Sequence, residues 1–469
     1  MKLSRYLSST TSTIKKDVIA VLQQRGLVAQ ITRPSLGAHL ARSKTAVYVG
    51  FDPTAKSLHV GNLLSMIALI HFARAGHIPV ALIGGATGTI GDPSGRSIER
   101  IPLDHSTIST NVSAISKQVE RILSNASESA ATSASSGPLP VARILNNNSW
   151  LSSLSLLDFM SSVGRVSRVS IMLARDSVKS RLESPQGISF VEFSYQLMQA
   201  YDFYWLWKNE GVSVQIGGSD QWGNIVSGID LIRKLEAPSI PVVSNEKGSV
   251  SSLDPEIEVF GLTIPLVTTS TGEKFGKSAG NAIWLDKDMC SPFDFYQFFR
   301  RTPDSDVARY LAYFTFLEMD EISQVMAKHK ISPDLQEPQR LLAYKVTHLV
   351  HGSLTAEHSR IKSELLYDSE QMSAVPSVHE IIDAFEDDNR LIRFKKNQIY
   401  GFSAVQVAVM TGAAQSTSAA KKLVAQGGLY LNNKKVATAG HVVGPTDTID
   451  EAILLLRAGK SHYKIIHLQ

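Results

Sequence analysis

Apolar runs ending in glycine punctuate the first half of the chain, and each feeds a longer segment of helical periodicity. "AVYVGFD" (46–52) is followed by the breaker "PTAKS" and a periodic stretch from Leu58 to Ala75. "IPVALIGGATG" (78–88) closes on glycines, and "VSVQIGGSDQWGNIVSGIDLI" (212–232) passes from apolar run through Gly-Gly to helix. Short continuous apolar runs predict strands buried on both faces, and the helices between them predict a parallel, doubly wound α/β sheet of Rossmann-like type. Ligands of such sheets bind beyond the carboxyl ends of the strands.

The texture changes after Trp284. Amphipathic patterns, clearest in "RYLAYFTFL" and "LLAYKVTHLVHG", predict an α-helical domain over 291–385 after an α/β domain over 17–290. The acidic connection "EDDNR" then leads to a basic terminal module, 390–469, expected to be a small α+β unit. Two segments read as loops: "SNASESAATSASSGP" (124–138), poor in bulky residues and expected to be a mobile surface stretch, and an insertion over 238–256.

Composition narrows the class. Hydrophobic residues make up 43% and charged residues 19%, and no run of eighteen apolar residues occurs, so a helical membrane protein is not expected. One cysteine, Cys290, rules out intramolecular disulfides and cysteine-based metal sites, and no structural metal is expected. The net charge of +4 hides an uneven distribution: +4 on residues 1–16 and +8 on 390–469 leave −8 on the middle. A basic end on an acidic body points to a polyanion held at the C-terminal module, although a solvated face has the same composition. Residues 1–16, "MKLSRYLSSTTSTIKK", are basic, Ser/Thr-rich and acid-free, as organellar presequences are.

Four motifs carry candidate chemistry. In "DPTAKSLHVGNL", His59 and Asn62 fall three apart in the first turn of the predicted helix, where N–H groups attract anions. In "EFSYQLMQAYDF", Tyr195, Gln199 and Asp202 are spaced i, i+4, i+7, a polar stripe crowded by Phe190, Phe193, Phe203 and Trp205 that suits a pocket wall. "QIGGSDQWGN" brings Asp220 to a strand–helix turn, where it either accepts from a ribose hydroxyl or caps the helix. "TGEKFGKSAG" puts Lys274 and Lys277 in a glycine-flanked loop, able to reach a phosphate chain.

In that order, "HVGN" and "KFGKS" resemble the two signatures of class I aminoacyl-tRNA synthetases. With "YVGFDPTAKSLHVGNLL", "LIGGATGTIGDPSGR", "EFSYQLMQAYD" and "FGLTIPLV", the chain from about Gly26 onward resembles the bacterial and organellar tyrosyl-tRNA synthetases. The resemblance implies an enzyme that joins tyrosine to ATP, carried with Mg²⁺, releases pyrophosphate and passes the tyrosyl group to tRNA(Tyr). It implies that Thr54, His59 and Asn62 contact the departing phosphates while Arg96, Arg100, Lys274 and Lys277 close over them. It further implies an ATP site including Gly50, Asp52, Gly61, Gly218 and Asp220. Tyr48 and Asp202 would bind the substrate phenol, Tyr195, Asp92 and Gln199 its ammonium group, and Gln215 and Gln221 would complete the tyrosine site. On this likeness an aromatic ring without a hydroxyl would leave Asp202 buried and unpaired.

"STSAAKKLVAQGGLYLNNKKV" (416–436) resembles a small RNA-binding module, with Ser418, Lys421 and Lys422 near its helix start and Asn432, Lys434 and Lys435 in the adjacent turn. The helical domain would meet the anticodon. A homodimer follows from the likeness alone, as does a mitochondrial matrix location, with a bacterial-type cytoplasm as the alternative. Asn62 departs from the family's second signature histidine, and Phe275-Gly276 from its Met-Ser. Two other readings fit parts of the pattern: a tryptophanyl-tRNA synthetase, and a synthetase-derived RNA-binding or group I intron splicing factor.

Overall fold

The computed structural model describes residues 17–94, 103–131, 137–185, 187–236, 257–268, 282–367, 376–459 and 462–469. The expected presequence, the 238–256 insertion, Arg96, Arg100, Lys274 and Lys277 lie outside the described residues. Two compact units divide the chain: residues 1–291, 302–331 and 337–342, and residues 292–301, 332–336 and 343–469.

The first unit is built on six strands: β1 (Gln30–Ile31), β2 (Ala46–Phe51), β3 (Ile78–Ile83), β4 (Arg143–Asn146), β5 (Val212–Gly218) and β6 (Phe260–Ile264). Their order is β1-β6-β5-β2-β3-β4, parallel throughout except for β1. Because the chain leaves β2 first toward β3 and later returns on its other side through β5, the strand order reverses between β2 and β5. In doubly wound sheets that reversal opens a crevice at the carboxyl ends of the strands.

The Val60–Arg74 helix is apolar all round, and residues from Leu63 through Ala73 are buried apart from Ser65, so it lies inside the unit. The Asp304–Phe314 helix belongs to the same unit, although the sequence placed it in a separate helical domain. Arg25 explains the attachment: its buried guanidinium donates to the carbonyls of Ala312 (3.0 Å), Thr315 (2.9 Å) and Leu317 at that helix's C-terminal end.

One expectation is corrected. Residues 124–131 are not a loose surface stretch but the end of a 27-residue helix, His105–Ala131. Ile108, Ile115, Val119, Ile122, Ala126 and Ala130 are buried along one face. Alanine is the best helix former and lets a helix pack closely, so scarcity of bulk did not mean scarcity of structure.

In the second unit, β7 (Leu391–Phe394), β8 (Leu429–Leu431), β9 (Lys434–Lys435), β10 (Ile453–Ala458) and β11 (His462–Leu468) form a sheet of order β7-β11-β10-β8-β9. Both faces are covered. Leu454, Leu456, Ile466 and Leu468 meet the Ala404–Met410 and Thr417–Ala425 helices. Ile453, Leu455, Tyr463 and Ile465 meet the Ser353–Tyr367 and Val378–Phe385 helices. The first four residues of β10, Ile453 to Leu456, are therefore a continuous apolar run rather than an alternating one. The segment expected as one helical domain is shared between the two units.

Candidate active site

A cleft of about 810 Å³ opens at the β2/β5 reversal, lined by the carboxyl ends of β2, β5 and β6 and by the Phe190–Glu210 helix. Every described residue expected to hold tyrosine or ATP lines it.

At one end lies the loop 52–59. His59 is not in the first helical turn, as expected, but is the N-cap, with extended backbone (φ −118°, ψ 172°). Its Nδ1 accepts from Gly61 N (3.0 Å), and Asn62 Oδ1 accepts from His59 N (3.1 Å), a reciprocal capping box. Acceptance at Nδ1 leaves the ring proton on Nε2, so the neutral ring is a donor on that side. Asn62 lines the cleft, and its side-chain oxygen serves as the cap while its amide nitrogen takes no part in the capping box. A Cβ at 61 would stand 2.8 Å from His59 Cε1, so glycine there leaves the imidazole its capping position. Thr54 is exposed at the mouth, and Gly218 and Asp220 border the same cleft from β5.

The middle of the cleft is a hydrogen-bonded frame. Tyr195 donates its hydroxyl to Asp52 Oδ2 (2.7 Å), and Thr87 donates to Asp52 Oδ1 (2.8 Å). Asp92 accepts from Gln221 Nε2 (2.6 Å) and Ser94 N (2.9 Å). Gln199 accepts from Asn224 Nδ2 (2.9 Å), which also approaches Gln221 Oε1 (3.2 Å). Burial and then the charge of Asp52 raise the Tyr195 hydroxyl well above its ordinary pKa, so it stays a donor. Phe190 does not crowd this wall: it is 76% exposed at the far end of its helix, while Phe203 is in the core.

At the closed end, Asp202 is buried and accepts from Asn147 Nδ2 (2.9 Å) and Trp150 Nε1 (2.8 Å), one donor per oxygen. Burial pushes its pKa up to about 7 despite those two donors. Trp150 is fixed in turn by stacking on Trp205, centroids 4.0 Å apart. Asp202 thus holds two protein donors of its own, and an aromatic ring lacking a hydroxyl would not leave it unpaired. Among the described residues lining the cleft, the buried side-chain atoms without a hydrogen-bond partner are Tyr48 Oη and Gln215 Oε1, on residues paired in register on β2 and β5. Burial and the charge of Asp202 hold the Tyr48 hydroxyl protonated.

Sequence reasoning missed Asn147, Trp150, Thr87 and Asn224. "ILNNNSW" after β4 offered a signal, since polar residues at a strand's carboxyl end face the ligand crevice.

In the second unit, Ser418, Lys421, Lys422, Lys434 and Lys435 are exposed. Asn432 is different. With φ 43° it begins the turn between β8 and β9, donates inward to Asp447 O and accepts from Leu455 N (2.8 Å). Its side chain holds the turn that presents the two lysines.

A 3-2-1-4-5 parallel sheet with a capped helix start and a glycine loop at its switch point is the nucleotide-binding architecture of the class I synthetases. The family model for tRNA synthetases class I (W and Y) matches residues 40–367, and that for the tyrosine–tRNA ligase SYY-like C-terminal domain matches 382–466. The chloroplastic/mitochondrial tyrosine–tRNA ligase of Arabidopsis thaliana is 40% identical over 97% of this chain and 84% of its own length. The mitochondrial enzyme of Drosophila melanogaster is 40% identical over 95% and 92%. A solved structure, the C-terminally truncated mitochondrial tyrosyl-tRNA synthetase of Aspergillus nidulans, is 36% identical with a TM-score of 0.65, covering 75% of this chain and 94% of its own. The chain belongs to the tyrosine–tRNA ligase family of class I aminoacyl-tRNA synthetases.

Proposed function

We propose that the cleft holds tyrosine with its phenol at the Tyr48–Asp202 end and MgATP at the His59 end. The tyrosine carboxylate attacks the α-phosphorus, the bond to the β-phosphate oxygen breaks and pyrophosphate leaves. A tRNA ribose hydroxyl then attacks the adenylate carbonyl and displaces AMP. No protein nucleophile is needed, so the side chains act by position and charge. His59 Nε2–H, Thr54 and the cations Lys274, Lys277, Arg96 and Arg100 serve the phosphates, and Asp220 the ribose. Tyr195, Asp92 and Gln199 orient the ammonium group, with Gln221 holding Asp92.

The observation carrying this reading is the buried, unpartnered Tyr48 hydroxyl beside a carboxylate at the closed end of a nucleotide-type cleft. A phenol supplies the missing partner, whereas phenylalanine leaves Tyr48 unpaired. ATP–pyrophosphate exchange measured with tyrosine, phenylalanine and tryptophan tests it. Exchange driven by tyrosine is expected, and exchange driven by tryptophan alone would end the reading.

The same chain is proposed to work as a homodimer. Leu156, Leu157, Val169, Phe190 and Val191 are between 48% and 79% exposed within one segment, an unusual concentration of large apolar groups at a surface. Phe190→Asp is expected to shift sedimentation from dimer to monomer, and an unchanged coefficient would contradict this interface.

For tRNA, the exposed lysines of the second unit are proposed as phosphate contacts. Lys421→Glu with Lys422→Glu is expected to lower tRNA charging while leaving exchange intact, and to reduce the salt slope of tRNA binding by about two. Deleting the module is a poorer test, because β10 and β11 cover Ile361, Leu365 and Phe385. A mitochondrial location is supported by the names of the plant and fly relatives and by the basic, acid-free residues 1–16, and the matrix is proposed as the compartment.

A further inference from the structure

We propose that Gln118 is a positioning residue for adenylate formation, a carboxamide that holds the loop bearing Thr54 and His59 in register with residues 283–286. This rests on the ligase reading above. Gln118 is buried in the His105–Ala131 helix and does not line the cleft; the other buried polar residue of that face, Asn111, donates to Pro53 O (3.0 Å) earlier in the same loop. Its Oε1 accepts from Leu58 N (3.1 Å) and lies 3.2 Å from Ser57 Oγ. Its Nε2 donates to Lys56 O (3.1 Å) and approaches Asp286 Oδ2 (3.4 Å).

Around that amide the two segments form a short ladder. Val60 N donates to Ile283 O (3.0 Å), and Leu285 N to Leu58 O (2.9 Å). Ser57 Oγ accepts from Asp286 N (3.1 Å), and Arg121, one turn beyond Gln118, donates to Leu285 O (3.0 Å). Ser57, Leu58, His59 and Trp284 all line the cleft, so the ladder is its wall at the nucleotide end. A glutamine satisfies this place because it offers an acceptor to one peptide N–H and a donor to a nearby carbonyl at once. Asn111 holds the loop at Pro53, but Gln118 is the side chain that hydrogen-bonds it at Lys56, Ser57 and Leu58, so an apolar residue there releases the part of the loop next to His59. Displacing His59 and Thr54 by about 1 Å is enough to cost about 10²-fold in rate. The tyrosine end is built from β2, β5 and the Phe190–Glu210 helix, and Gln118 hydrogen-bonds none of them.

The test uses the full chain with Gln118→Met, of similar length and apolar, and with Ser57→Ala, which leaves Gln118 in place. Tyrosine affinity is read by equilibrium dialysis, and kcat/KM for MgATP by pyrophosphate exchange at saturating tyrosine. For Gln118→Met the expected result is a drop of about 10²-fold in kcat/KM for MgATP with tyrosine affinity within about twofold of the unsubstituted chain. A smaller loss in the same direction is expected for Ser57→Ala, which carries the test if Gln118→Met is not soluble. Unchanged MgATP parameters would overturn the proposal, as would equal losses in tyrosine affinity and MgATP kinetics, the mark of general damage. Absence of tyrosine-driven exchange in the unsubstituted chain would overturn the ligase reading, and this proposal with it.

Discussion

Asp202→Asn is expected to weaken tyrosine binding by about 10²-fold, since a hydrogen bond to a charged acceptor contributes about 1.5–3 kcal/mol and each tenfold is about 1.4 kcal/mol. The substitution preserves shape. It replaces one carboxylate oxygen by an NH₂ group, which must then face Asn147 Nδ2 or Trp150 Nε1, both donors. The pH dependence should change with it. Burial places the Asp202 pKa at about 7, so a proton competes with the substrate phenol for the carboxylate at and below neutrality. Tyrosine affinity of the unsubstituted protein should fall about tenfold per pH unit below about pH 7, and that slope should vanish in Asp202→Asn. Calorimetric titration between about pH 5 and about pH 8, bracketing the Asp202 pKa, reads both effects, and a pH-independent affinity would contradict the assignment.

Stability follows with a definite sign. The folded pKa of about 7 lies above the ordinary aspartate value of 3.8, so the folded state binds the proton more tightly than the unfolded chain does. The favourable contribution of protonated Asp202 is complete below about pH 4 and is lost as pH rises through about 7, by no more than about 4 kcal/mol. Comparing denaturation midpoints of the unsubstituted chain and Asp202→Asn across that window isolates this group from the other carboxylates.

Gly84→Ala is expected to be the most damaging single-methyl change in the cleft. A Cβ at 84 would stand 2.1 Å from Asp52 Oδ1 and 2.4 Å from Thr87 Oγ1, distances no packed atoms adopt. The backbone has little room to yield, because Gly84 N donates to Phe51 O (2.9 Å) and its carbonyl accepts from Gly88 N (2.7 Å). The Asp52 carboxylate must therefore move, and with it go the bonds from Tyr195 and Thr87. Losing these partly buried bonds should cost about 1–3 kcal/mol of stability. Displacing the Tyr195 frame should lower kcat/KM for tyrosine by about 10²-fold. Thermal unfolding and exchange kinetics report the two separately, and a fully active Gly84→Ala protein would show that Asp52 does not need its present place.

The local sequence determined the strands, their glycine ends and the polar stripe Tyr195–Gln199–Asp202, because apolar runs, turn residues and helical spacing are properties of neighbours along the chain. It also carried the family of the chain, since the signatures that mark it lie in short motifs. Other features depended on tertiary contacts. Asn147 and Trp150 reach Asp202 from β4's end, more than fifty residues away, and no local pattern ranks them above any polar loop residue. His59 is a cap rather than a helical residue because Asn62 and the pairing with 283–285 set its backbone. The helical character of residues 291–385 was legible, but the allegiance of its helices was not. It was decided by Arg25 reaching the carbonyls of one helix end and by an apolar second face on β10 and β11 that needed covering. Periodicity reports which face of an element is buried; only the assembled fold determines what buries it.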